Sequence, residues 1–156
     1  MNTYKFIIVA IMFLLTNCGF KVVDYSKLNN FKISDIVATG ENKINYKLKK
    51  SIKIISSENS EKEIIINLFS ESKNSIKEKN ENNVITKYKL EIKTKVNYQV
   101  LNNNKTGNFE VLVSGDYPVA KKYSKTLKNQ SQIIDNLTDK ISTKIKRELS
   151  NQLNDL

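Results

Sequence analysis

The 156 residues contain no histidine, no tryptophan and one cysteine, Cys18. A His- or multi-Cys metal cage, a Ser-His-Asp relay and an internal disulfide are therefore excluded. Proline and arginine each occur once, at Pro118 and Arg147. A chain of this length with 39% hydrophobic residues has room for one domain with a modest core, which excludes a two-domain enzyme. The charge is one-sided: 26 basic against 16 acidic residues give a net +10. Yet 25 of those 26 are lysine, and Ile, Asn and Lys fill 65 of the 156 positions. AT-rich codons produce such a composition with or without a negative partner, so net charge alone is weak evidence of one.

The first segment carries a secretion pattern. After Met1 to Lys5 comes an unbroken apolar run of ten residues, Phe6 to Leu15, followed by Thr16, Asn17 and Cys18. At about 1.5 Å per residue that run falls well short of the roughly 30 Å that a spanning helix must cross. Leu15-Thr16-Asn17-Cys18 fits a lipobox, in which lipid is added to the cysteine and cleavage precedes it; Asn17 is larger than the residue usual there. An uncleaved short anchor and an ordinary signal peptide are the alternatives. Lipidation of Cys18 also accounts for an otherwise odd thiol in a secreted chain. Two or three acyl chains would hold the protein firmly on a membrane. Removing residues 1–17 from 156 leaves 139, with a side-chain charge of +9 after loss of Lys5. Gly19 stands where an Asp would signal inner-membrane retention, so the expected address is the periplasmic face of the outer membrane.

Beyond a lipidated N-terminus and tether, 18–30, the pattern is strand, helix, three strands, helix. Residues 31–37 alternate imperfectly and end at Gly40, a short strand and turn. Ile44, Leu48, Ile52 and Ile55 recur at helical spacing, with Glu41 in the first turn, although Ile44, Tyr46 and Leu48 also alternate. Residues 56–62 read as a loop and Glu63 to Phe69 as a largely buried strand. Ser70 to Asn83 holds one aliphatic residue, Ile76, among six charges and reads as a long hairpin loop or frayed strand ends. Val84 to Leu101 alternates throughout: one face is dry, while Lys87, Lys89, Glu91, Lys93, Lys95, Asn97 and Gln99 line the other. Its length predicts a bulge or bend. Residues 102–107 carry turn chemistry, and Phe109 to Gly115 returns as the hairpin partner, with ladder bonding expected to stop at Pro118. From about Lys128, Ile133, Ile134, Leu137, Ile141, Ile145, Leu149 and Leu153 form an apolar stripe. That predicts an amphipathic helix of about six turns lying on the sheet. The expected fold class is α+β, a two-layer sandwich in which a four-stranded, mostly antiparallel sheet carries two helices on one face.

The order of these elements, the opening Cys18-Gly19-Phe20, the long alternating strand, the stretch Ser114-Gly115-Asp116-Tyr117-Pro118 and the striped terminal helix resemble the LptE family of lipoproteins of lipopolysaccharide assembly. The resemblance covers the whole mature chain, with Lys21-Val22-Val23 standing where the family usually carries proline or leucine. It implies that 31–156 forms one α+β domain that plugs, and helps assemble, an LptD-type outer-membrane β-barrel. It also implies engagement of lipopolysaccharide, and no cofactor.

Lipopolysaccharide is rich in phosphate, and exposed lysines each gain under about 1 kcal/mol from such a partner, weakened by salt. The best-aligned candidates are Lys87, Lys89, Lys93 and Lys95 on the polar side of the long strand, about 7 Å apart at each i, i+2 step. They also fit the plain solvated side of a half-buried strand. Lys73, Lys77 and Lys79 form a second cluster, largely cancelled by Glu71, Glu78 and Glu81. The competing function is a basic periplasmic lipoprotein that binds anionic lipids or polyanions without a barrel partner. Nucleic acid is not expected, because no aromatic platform is interleaved with the lysine row. Nor is an enzyme, because no carboxylate pair is flanked by apolar residues that would raise a pKa.

Overall fold

A computed structural model describes residues 31–57 and 60–154. The signal segment 1–17, Cys18 and the tether up to residue 30 lie outside the described residues. The elements follow in the order β1 (Lys32–Gly40), α1 (Asn42–Lys53), β2 (Glu63–Lys79), β3 (Ile85–Val100), β4 (Thr106–Pro118) and α2 (Tyr123–Asn154). The strands form one open sheet in the order β1-β2-β3-β4. β1 pairs with β2 in parallel, the two being joined through α1, and the other two pairings are antiparallel. The result is the α+β two-layer arrangement that the hydrophobic pattern predicts.

Alternation fixes which side of the sheet is dry. Ile64, Ile66 and Leu68 of β2, Leu90, Ile92, Val96, Tyr98 and Val100 of β3, and Val111, Val113 and Tyr117 of β4 are all buried. α1 lies over β1 and β2 with Ile44, Leu48 and Ile52 inward, while α2 lies over β4 and β3 with Leu137, Ile141, Ile145 and Leu149 inward. Both helices therefore share one face of the sheet. Burying a Leu or Ile side chain stabilises by about 1.5–3 kcal/mol, so these paired stripes supply the main drive for closure. The core seen among the described residues closes within 31–154, so a chain beginning at Gly19 contains every described element.

Gly40 makes the β1–α1 corner possible. Its φ is +92°, and a Cβ there would stand 2.0 Å from the Ser70 carbonyl oxygen, the acceptor of the Glu41 N–H. Glu41 occupies the N-cap but makes no side-chain cap bond; its carboxylate instead accepts from Ser72 Oγ at 2.9 Å.

The structure changes the expected boundaries in four places. β2 runs on to Lys79, so Ser70 to Lys79 is strand, and the turn shrinks to residues 80–84. From Lys73 onward both sides of that stretch are wet, which removes the alternation that would reveal it; backbone pairing with β3 stabilises it instead. The expected irregularity of the long strand lies in its pairing with β2, where the register shifts twice, once with the extra residue Lys77 on β2 and once with the extra residue Thr86 on β3, while β3 pairs with β4 without a shift. β4 reaches Pro118, and Val119 N–H still donates to the Thr86 carbonyl at 2.9 Å. Val100 and Lys105 bond in the same register, so the odd-numbered β4 residues face β3 and the Pro118 nitrogen points away, where a missing N–H costs nothing. Finally, α2 begins at Tyr123 and has 32 residues, about nine turns. Its first turns lack the stripe and are tied down by Ala120 N–H donating to Thr126 Oγ1 at 2.9 Å.

Candidate functional site

With both helices on one side, the other face of the sheet is open to solvent. Alternation along β3 puts Lys87, Lys89, Lys93 and Lys95 on that open face, in one row as predicted. Their neighbours are largely carboxylates. Lys87 Nζ donates to Glu78 Oε2 at 2.6 Å, Lys89 Nζ to Glu91 Oε2 at 3.2 Å, and Lys93 Nζ lies 2.9 Å from Glu110 Oε2. Lys93 faces Leu112 in register, so it reaches Glu110 diagonally, as long side chains on adjacent strands do. Lys95, directly opposite Glu110 and flanked by Phe69, has no carboxylate within 4 Å among the described residues. The hydrogen bond that Lys87 donates to Glu78 pushes the Lys87 pKa up, and the one that Lys93 donates to Glu110 does the same for Lys93. The field of Lys87, Lys89 and Lys93 is thus compensated locally by carboxylates.

The second cluster ends up in the same mosaic. Lys73 stands opposite Glu91, Lys77 Nζ lies 3.5 Å from Asp116 Oδ2, and Lys79 Nζ donates to Asn83 Oδ1 at 2.8 Å. Composition suggests a cationic strip; register delivers alternating signs. The signal was present in Glu91, Glu110 and Asp116, which fall on the polar side of their strands, but it becomes readable only once the pairing is known. The open face also exposes Phe69, Leu112 and Val37.

Beside it, the edge strand β4 and α2 enclose two adjoining grooves of about 610 and 430 Å³ that share Leu112 and Lys144. Lys140 lines the larger and Arg147 the smaller, with Asp139 and Glu148 on their walls. Across the top of the molecule the helices are clasped by polar contacts. Lys47 Nζ lies 2.8 Å and Lys43 Nζ 3.9 Å from Asp135 Oδ1, and Ser51 Oγ meets Ser142 Oγ at 2.6 Å. The hydrogen bond from Lys47 holds the Asp135 carboxyl below its ordinary range, against a smaller opposing effect of burial. Among the described residues no three His, Cys, Asp or Glu side chains are placed to hold a metal, and no helix is long and apolar enough to cross a membrane. Cys18, the predicted lipidation site, lies outside the described residues.

The described residues thus form an open four-stranded mixed sheet covered on one side by two helices, with charges of both signs on the other. No protein-family model matches the chain, and no curated protein matches it by sequence. Solved structures do share its fold, and those compared are bacterial lipoproteins. Rare lipoprotein B from Shewanella oneidensis superposes with a TM-score of 0.62 at 10% identity, covering 79% of this chain and 97% of that one. An uncharacterized lipoprotein B from Nitrosomonas europaea gives 0.63 at 16%, covering 87% and 93%. A putative lipoprotein from Caulobacter crescentus gives 0.56 at 14%, covering 83% and 94%. At such identities the likeness is one of fold.

Proposed function

We propose that this protein is a lipid-anchored outer-membrane lipoprotein that seats in an LptD-type β-barrel, helps it assemble and contacts lipopolysaccharide during its delivery to the outer leaflet. The observation that carries the proposal is a coincidence of two independent features. The folded part has the topology of lipoprotein B over nearly the whole of that protein's length, and the sequence places a lipobox cysteine, Cys18-Gly19-Phe20, before a short tether into β1. A rigid sheet with exposed apolar side chains among paired charges suits docking against another β-structure: Phe69, Leu112 and Val37 offer contact area, and the ion pairs give register. No catalytic step and no cofactor is part of the proposal.

The test is co-purification from outer membranes. Full-length protein with a C-terminal affinity tag, extracted in mild detergent, is expected to bring down a large β-barrel in stoichiometric amount. Recovery of the tagged protein without any barrel would remove the translocon reading and leave a lipoprotein that works alone.

A further inference from the structure

The chain's excess positive charge is sorted by layer. α1 contains five lysines and no carboxylate, and residues 119–154 contain eight cations against three carboxylates, whereas residues 54–118 contain nine of each. Codon bias adds lysine along the whole chain and does not sort it between layers. The charge is sorted by position as well. Lys43 Nζ donates to Ser131 Oγ and Ser51 Oγ meets Ser142 Oγ, offsets of 88 and 91 residues, so α1 and α2 run side by side in the same direction. Lys49, Lys50 and Lys53 at the C-terminal end of α1 thus come level along the helix axes with Lys140 and Lys144 of α2, with Arg147 one turn further, the α2 set standing on the flank that lines the grooves beside β4. All six are exposed, and none has a carboxylate within 4 Å among the described residues. Lys146 lies among them half-buried, and burial pushes its pKa down with no opposing charge to restore it. On α1, Tyr46, 73% exposed, shares the face of Lys49, Lys50 and Lys53 at helical spacing.

The tether meets the fold at this same pole. Ser57 N–H donates to the Phe31 carbonyl at 2.9 Å and Ile33 N–H to Ser56 Oγ at 2.8 Å, so the chain arriving from Cys18 joins β1 just past the C-terminus of α1. Lys62 Nζ donates to the Leu153 carbonyl at 3.2 Å, which brings the end of α2 to the same region. Thirteen steps separate Cys18 from Phe31; fully extended they reach roughly 45 Å, and any slack brings the pole to the bilayer surface.

We propose that this cationic pole, Lys49, Lys50 and Lys53 of α1 with Lys140, Lys144 and Arg147 of α2, docks on anionic phospholipid headgroups as a second membrane contact beside the anchor. Each lysine near an anionic bilayer strengthens binding by about fivefold, and a polybasic patch is the usual complement to a lipid chain. The role as a second contact rests on acylation of Cys18; the affinity for headgroups does not.

The experiment uses residues 19–156, which hold every described element of the fold and neither the predicted signal nor the cysteine, in co-sedimentation with vesicles. Expected are binding to phosphatidylglycerol–phosphatidylethanolamine vesicles that falls as salt rises, and none to phosphatidylcholine–phosphatidylethanolamine vesicles. The triple variant Lys49→Gln, Lys50→Gln, Lys53→Gln is expected to bind about 100-fold more weakly, from about fivefold per residue. Lys140→Gln with Lys144→Gln, on the other helix, repeats the loss about 25-fold by the same estimate, and glutamine preserves helicity in both variants. Lys87→Gln, Lys89→Gln, Lys93→Gln, Lys95→Gln is expected to bind as the parent does. The proposal is overturned by absence of binding to the anionic vesicles, by full binding of the helix variants, or by binding to lipopolysaccharide micelles without binding to the vesicles. Loss of the barrel in the co-purification above would leave each of these outcomes readable, because the vesicles contain none.

Discussion

At the scale of single residues, what the sequence conceals is pairing. The four lysines of β3 are placed correctly on a wet face by simple alternation, yet three of them have counter-charges, from Glu78 on the hairpin, Glu91 on the same strand and Glu110 across the sheet. Spacing within one strand cannot reveal a partner that register supplies. Asp135 makes the same point between helices. Its carboxylate, about two-fifths exposed, joins Lys43 and Lys47 of α1 to α2 across 88 or more residues. Because its folded pKa lies below the ordinary carboxylate value, the unfolded chain binds the proton first as pH falls. The clasp therefore contributes its full stability above the ordinary carboxylate range and loses it as pH drops through the depressed value. Asp135→Asn is expected to cost under about 1 kcal/mol at neutral pH, the solvent exposure of the pair keeping the figure small. In urea unfolding the difference from the parent should shrink toward zero in acid. A cost that persists unchanged in acid would assign Asp135 a packing role instead.

At the scale of elements, legibility follows dryness. Helix α1 shows in Ile44, Leu48 and Ile52, helix α2 in Leu137, Ile141 and Ile145, and β3 in its unbroken alternation, because each buries one side in the shared core. The outer half of β2 does not show, since Lys73 to Lys79 is exposed on both sides and is held by backbone pairing and surface polar contacts rather than by burial. Its clearest trace is the run Asn80-Glu81-Asn82-Asn83, whose chemistry suits the turn actually formed. Asn80 N–H donates to the Val84 carbonyl and Asn83 N–H to the Asn80 carbonyl, both at 2.9 Å, with Asn83 at φ 60°. That is a three-residue hairpin loop ending in a left-handed residue. A β-branched side chain there costs roughly 1–2 kcal/mol, and glycine nothing comparable. Asn83→Val is thus expected to speed amide exchange in residues 73–89 by about tenfold, with exchange in 90–100 unchanged, while Asn83→Gly leaves both as they are. Equal protection in the valine variant would contradict the assignment of this tip as a locally stabilised extension.

At the scale of the molecule, two properties emerge that no segment carries alone. Parallel pairing of β1 with β2 through α1 puts both helices on one side, leaving a whole sheet face and two edges available. It also sorts the charge, with lysines in excess over the helices and balanced over the strands. The sequence shows the excess, but its location follows from the topology. β1 begins at the pole where α1 ends, so the point where the chain enters the fold, the basic helices and the open sheet have a fixed relation to one another. Each functional role proposed for this fold depends on the polypeptide being held at the envelope by a lipid on Cys18. Intact-mass measurement of protein purified from cell envelopes tests this most directly. The expected result is a chain that starts at Cys18 and carries the added mass of two or three acyl groups; an unmodified chain that still begins at Met1 would contradict it.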